Sequence, residues 1–151
     1  MEDFAGASDI RIDDVKVLLA PATPRCLATA HLGGVAIECK LKSLIAVYHR
    51  IAEWGEPGQR PKDPRQGSPI ANPGHGIVQA LKMMPDLYKR AKIDPKMLEH
   101  LAVVVNPKGT MEVDYISLRY SSKEFSAQAL SEWKCSFNYV VGWINKNREV
   151  I

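Results

Sequence analysis

Ala30-His31-Leu32-Gly33-Gly34-Val35-Ala36-Ile37-Glu38-Cys39-Lys40-Leu41-Lys42 decides the fold. Apolar side chains recur through this stretch at spacings of three and four, the period of a helix and not of a strand. The pattern runs on in both directions. Leu27, His31, Gly34, Glu38, Leu41, Ile45, Tyr48 and Ala52 share one face, and Ile37, Leu44 and Ile51 widen it. This predicts a long second helix from about Pro24 to Trp54, since proline is tolerated in a first turn. So broad a stripe implies burial against more than one neighbour. Gly33 and Gly34 weaken the helix locally. The expected compensation is close approach of another helix, which a missing Cβ permits.

Working outward towards the N-terminus, Ile12, Val15 and Leu19 predict a short first helix towards Ala20, capped by Asp9 or Asp13. Pro21 and Pro24 are expected to end it, and residues 1–9 to be polar and frayed. On the other side, residues 55–73 form a long Pro/Gly loop after helix 2, expected as a mobile surface excursion. Ile77, Leu81, Met84, Tyr88 and Ala91 then outline a third helix, which Pro85 should kink or split. Asp94-Pro95 starts a fourth, with an acid at the cap and proline in the first turn. Residues 102–113 fit either a continuation of that helix or a small hairpin turning at Asn106–Gly109, with the helix preferred. Ser121 and Glu124 have the spacing of a capping box. Leu130, Trp133, Phe137, Val141 and Ile144 carry the last helix to about Lys146, with 147–151 frayed. The expectation is one domain over residues 1–151: an all-α, up-and-down bundle of four to five helices. Its long helices two and five run parallel as a spine.

Composition agrees with one core. The chain has 151 residues, 46% of them hydrophobic, and a net charge of +3, which permits an anionic partner without requiring one. Three scattered cysteines form no C-x-x-C pair, so neither a disulfide framework nor a thiolate zinc site is indicated, and a reducing cytoplasm fits best. The acidic start lacks the order of a signal peptide, and no apolar run is long enough to span a bilayer. There is no H-E-x-x-H, no phosphate-cradling G-x-x-x-x-G-K-[ST] and no G-x-S-x-G elbow, so neither a metal nor a cofactor is expected.

The candidate site residues stand out by being polar where the pattern is apolar. Glu38 lies on the buried stripe, where an unpaired carboxylate is costly. Lys42, one turn on, is one candidate partner. Arg119 is the other, and the expectation is a Glu38–Arg119 pair tying helix two to the start of the last helix. It reads either as an internal ion pair fixing helix register or as a polar pocket for phosphate or a base. His31 also lies on the stripe, as a bonded core histidine or a general acid/base. His75 follows Pro73-Gly74 at the start of helix three, while His49 and His100 look like surface positions. Lys82, Lys89, Arg90, Lys92 and Lys96 form a basic patch, read as a solvated face or as an anion-binding surface.

Residues Arg25 to Leu44 together resemble the second helix of HEPN domains, in which small-residue turns are followed by Glu and then by an apolar residue and Lys. Gly74-His75-Gly76-Ile77 is similar to that family's His-containing start of the next helix, and Arg119-Tyr120 to its Arg-Tyr before the final helix. The resemblance implies a helical bundle, often a homodimer. Its relatives include ribonucleases of toxin–antitoxin or defence systems, non-catalytic partners of minimal nucleotidyltransferases, and nucleotide binders. The family's ribonuclease signature is Arg, then four to six residues, then His, on the late helix. Arg119 is followed by Tyr-Ser-Ser-Lys-Glu-Phe-Ser with no His; Arg25 and His31 have the spacing, but at the other end of the chain. The leading expectation is therefore a non-catalytic module binding nucleotide, RNA or a partner protein through Glu38, Lys42, Arg119, Tyr120 and His75. The alternatives are a metal-independent ribonuclease using Arg119 with His31 or His75, and a structural interaction domain.

Overall fold

In a computed structural model, residues 3–20, 25–52, 54–55, 60–63, 67–109 and 112–151 are described. Pro21 and Pro24, residues 56–59 and 64–66 of the Pro/Gly loop, and Thr110-Met111 lie outside them. The described chain is all-α: α1 (Phe4–Leu19), α2 (Cys26–His49), α3 (Ile77–Lys82), α4 (Pro85–Lys92), α5 (Pro95–Val105) and α6 (Ala127–Asn147), with 3-10 turns at Ser117–Tyr120 and Arg148–Val150. Pro85 splits the expected third helix, because proline has no N–H and opens α4 in the first turn, where an N–H would have no intrahelical acceptor.

α1 and α2 form an antiparallel hairpin. Ser8 donates to the Ala36 carbonyl at 2.9 Å, and Phe4 lies against the far end of α2 through Trp54, ring edge to face at 5.5 Å. The caps correct two expectations. α1 starts at Phe4, because Asp3 accepts from the Gly6 amide at 2.8 Å, so most of 1–9 is helix. α2 stops five residues short of Trp54, because Arg50 turns left-handed at φ 56° and Ile51 N–H closes back on Ala46. That reversal lets Trp54 turn inward and bury.

α6 runs parallel to α2, as the registers Leu27 with Glu124 and Gly33 with Trp133 show. The capping box does not form. Ser126 caps α6 by accepting from the Ala129 amide. Glu124 instead caps α2, accepting from the Leu27 amide at 3.0 Å. α5 opens on Asp94 and Pro95 as expected and ends at Val105, followed by a turn at Asn106–Gly109. The described part of the Pro/Gly loop is tied down. A bridge at Lys62 and Pro69 closes it, and Ile70 is buried. At the C-terminus, Val150 and Ile151 pack on the core. None of the helices among the described residues is long and apolar enough to cross a membrane.

The glycine pair admits close neighbours, as its lack of side chains predicts, but two different ones. A Cβ on Gly33 would meet the far edge of the Trp133 ring at 2.5 Å, and one on Gly34 would collide with the base of the Tyr115 side chain. Gly→Ala gains about 1 kcal/mol of helix propensity, while overpacking costs about 1–3 kcal/mol. Gly34→Ala should therefore lose the most stability, because Tyr115 cannot swing away from its own Cβ. Gly33→Ala should lose less, and Gly142→Ala, which faces open space, should gain. Thermal unfolding followed by circular dichroism checks the order 142 above wild type above 33 above 34.

Candidate functional site

Glu38 is buried, and three elements converge on it. Lys42, one turn along α2, donates to Oε1 at 2.7 Å. His75, in the turn before α3, meets Oε2 through Nδ1 at 2.9 Å. The Tyr115 hydroxyl lies 2.7 Å from both Oε2 and the His75 carbonyl oxygen and donates across the two. Burial pushes the Glu38 carboxyl up, but the bonds from Lys42, His75 and Tyr115 together outweigh it and hold the group below the usual carboxylate range. Burial, reinforced by the Glu38 charge, pushes the Tyr115 hydroxyl well above the ordinary tyrosine value, so it stays a donor.

The structure thus brings Glu38, Lys42 and His75 together and leaves Arg119 and Tyr120 out. Both are exposed on the 3-10 turn, the Arg119 guanidinium 4.8 Å over the Tyr120 ring. The expected Glu38–Arg119 pair is replaced because Lys42 is already within reach on the same helix face and Tyr115 fills the space between. Tyr115 sits in a stretch that reads as apolar, and its hydroxyl is the one clue there to a polar role. His31 is half-buried and donates through Nδ1 to the Tyr115 carbonyl at 2.9 Å, so it holds the backbone that carries Tyr115. His49 and His100 are half-buried rather than on the surface. His49 bonds the Met83 carbonyl at 2.8 Å, and His100 meets Ser136 Oγ at 3.0 Å. Burial pushes the Cys26 and Cys39 thiols up, which disfavours the thiolate a nucleophile needs.

Within the cluster only His75 reaches solvent, with 61% of its side chain exposed against 8% for Lys42 and 6% for Glu38. It presents an imidazole oriented by a carboxylate, the arrangement of a general base.

A second surface is open. Tyr88 on α4 is flanked by two exposed lysines, Lys92 Nζ at 5.3 Å and Lys82 Nζ at 6.0 Å from its ring centre. Among the described residues neither lysine has a carboxylate within ion-pairing distance. Lys89 has only a long contact to Asp86, 3.9 Å. Arg90 bonds Asn147 of α6 at 3.2 Å, linking this face to a cleft of about 470 Å³. Asn138, Tyr139, Gly142, Trp143 and Lys146 line the cleft together with Asp94, which accepts from Trp143 Nε1 at 2.9 Å. Sequence periodicity marks Tyr139 and Trp143 only as parts of a helix. Their role follows from Asp94 facing them, a pairing 45 and 49 residues apart that periodicity does not reveal.

Truncating Glu38 to Ala leaves Lys42 buried without its partner and should cost about 3–5 kcal/mol. Glu38→Gln separates charge from shape. A carboxylate held below its unfolded value adds stability that is full above the ordinary carboxylate range and fades as pH falls through the folded value. Urea unfolding of wild type should therefore weaken between about pH 5 and pH 2, and the Gln variant should show a flatter acid limb. Compared with family models, curated proteins and solved structures, the chain matches none, so its function has to be read from these groups themselves.

Proposed function

We propose that this domain is a non-catalytic, HEPN-like helical module that binds RNA or a nucleotide through the α3–α4 face and the adjoining end of α6. The observation that carries the reading is Tyr88 between Lys82 and Lys92. An aromatic ring among unpaired cations offers a base-stacking surface beside phosphate-binding charge, the combination used for single strands. The buried cluster supports the same reading by exclusion. Glu38 and Lys42 satisfy each other and are closed to solvent, so they organise the fold rather than meet a ligand. The resemblance to HEPN domains also suggests a homodimer. Ile10 and Val17, 59% and 71% exposed on the outer side of α1, supply apolar surface for it.

A metal-independent ribonuclease is favoured by one observation, the exposed His75 held by Glu38. Against it, Arg119 makes no bond to Glu38, His75 or His31 among the described residues, and the cation of the cluster, Lys42, is buried against Glu38, away from a substrate.

Fluorescence anisotropy with a labelled single-stranded RNA in EDTA tests the proposal. Binding should weaken steeply with salt. Lys82→Ala with Lys92→Ala should lower both the affinity and the salt slope, by roughly 0.7 for each phosphate that is no longer neutralised. The RNA should remain intact. No binding at low salt contradicts the proposal, and cleavage abolished by His75→Ala replaces it with the ribonuclease.

A further inference from the structure

We infer that the cleft between Asp94 and the last turns of α6 takes a guanine base, whose two adjacent N–H donors the Asp94 carboxylate accepts. The inference rests on the RNA- or nucleotide-binding reading and names what that surface selects.

The volume of about 470 Å³ is in the range of small-ligand pockets. Two aromatic side chains, Tyr139 and Trp143, stand on one wall, one helical turn apart. Gly142 sits between them, and the position its Cβ would take has nothing within 4 Å. The missing side chain is therefore the opening of the cleft. Tyr139 is backed by His100, ring centres 4.3 Å apart, which fixes its plane.

Asp94 gives the cleft its chemical sign. Its Oδ1 accepts from the Met97 amide at 3.1 Å and caps α5; its Oδ2 accepts from Trp143 Nε1 at 2.9 Å and lies 3.4 Å from the Tyr139 hydroxyl. All these donors are neutral, and among the described residues no Lys, Arg or His pairs with the charge. A carboxylate lining the cleft, with lone pairs beyond those these donors use, prefers a ligand edge that only donates. Of the four RNA bases, guanine alone places two N–H donors side by side, at N1 and the exocyclic amine. Adenine and cytosine set a donor beside an acceptor, and uracil sets one between two carbonyls. At the rim, Lys146 and Asn138 have no intramolecular partner among the described residues. Lys146 is placed for the phosphate of a base in the cleft, and Arg90 continues the cationic track onto α4.

The test uses the full chain and two labelled ten-nucleotide RNAs, one all uridine and one with two central guanosines, read by anisotropy. The guanosine strand should bind roughly tenfold tighter or more. Asp94→Asn keeps the helix cap through its oxygen, because Asn caps as well as Asp, and turns a donor in place of an acceptor towards Trp143 Nε1 and the cleft. It should abolish the preference, read as the ratio of the two affinities, while the lost negative charge raises both affinities alike. Gly142→Leu fills the opening from a position with free space and should likewise abolish the preference. Competition by guanosine monophosphate, and not by adenosine monophosphate, assigns the site to free nucleotide; preference for the strand without such competition assigns it to RNA. Equal binding of the two strands, or a preference that survives both substitutions, overturns the guanine assignment and leaves RNA binding standing. Failure to bind either strand or either nucleotide overturns the RNA and nucleotide reading as well.

Discussion

One buried carboxylate organises this fold. Glu38 cannot stand on the inner face of α2 without donors, and each donor it recruits brings an element with it. Lys42 keeps the charge balanced within α2 and passes 5.4 Å over the Phe4 ring at the start of α1. His75 fixes the turn from which α3 begins. Tyr115 closes the far side, and its backbone ties in two more partners, donating to the Val105 carbonyl at the end of α5 and accepting from His31. Its ring lies on Gly34, so the glycine and the carboxylate are one arrangement: without the close approach, the hydroxyl would not reach Oε2.

The same arrangement closes Glu38, Lys42 and Tyr115 to solvent and leaves His75 exposed. Buried groups that satisfy one another in this way give specificity of packing. Under the proposed reading, binding falls to groups the core does not consume: the lysines around Tyr88, the rim of the α6 cleft, and Asp94, whose charge among the described residues is met by neutral donors alone. The division follows from burial. Charges inside must be paired, whereas exposed, unpaired cations keep their field for a partner.

Much of the fold is legible in the residues because helical periodicity and caps are local. The α2 stripe, the Asp94-Pro95 start of α5 and the break at Pro85 all follow from neighbours within one turn. The errors lie where a local signal finds a distant partner. Glu124 has capping-box spacing and does cap a helix, but α2 rather than its own. The need of Glu38 for a partner is plain from its place on the stripe, and Lys42 stands among the candidate partners, while His75 stands only among the residues of the expected pocket. Arg119 outranks Tyr115 on sequence grounds only because charge is easier to see there than a hydroxyl in an apolar run. The open cleft is not legible at all, since Asp94 and Trp143 meet only once α5 and α6 have packed.

The central claim is that the Glu38 cluster holds the fold while ligand binding occurs on the α4–α6 surface. Amide chemical-shift mapping by nuclear magnetic resonance during titration with a short single-stranded RNA tests it most directly. The account predicts that the shifts concentrate at Lys82, Tyr88, Lys92, Gly142 and Lys146, with Gly34, Glu38 and Tyr115 unmoved. Shifts centred on Glu38, His75 and Tyr115 instead would contradict it.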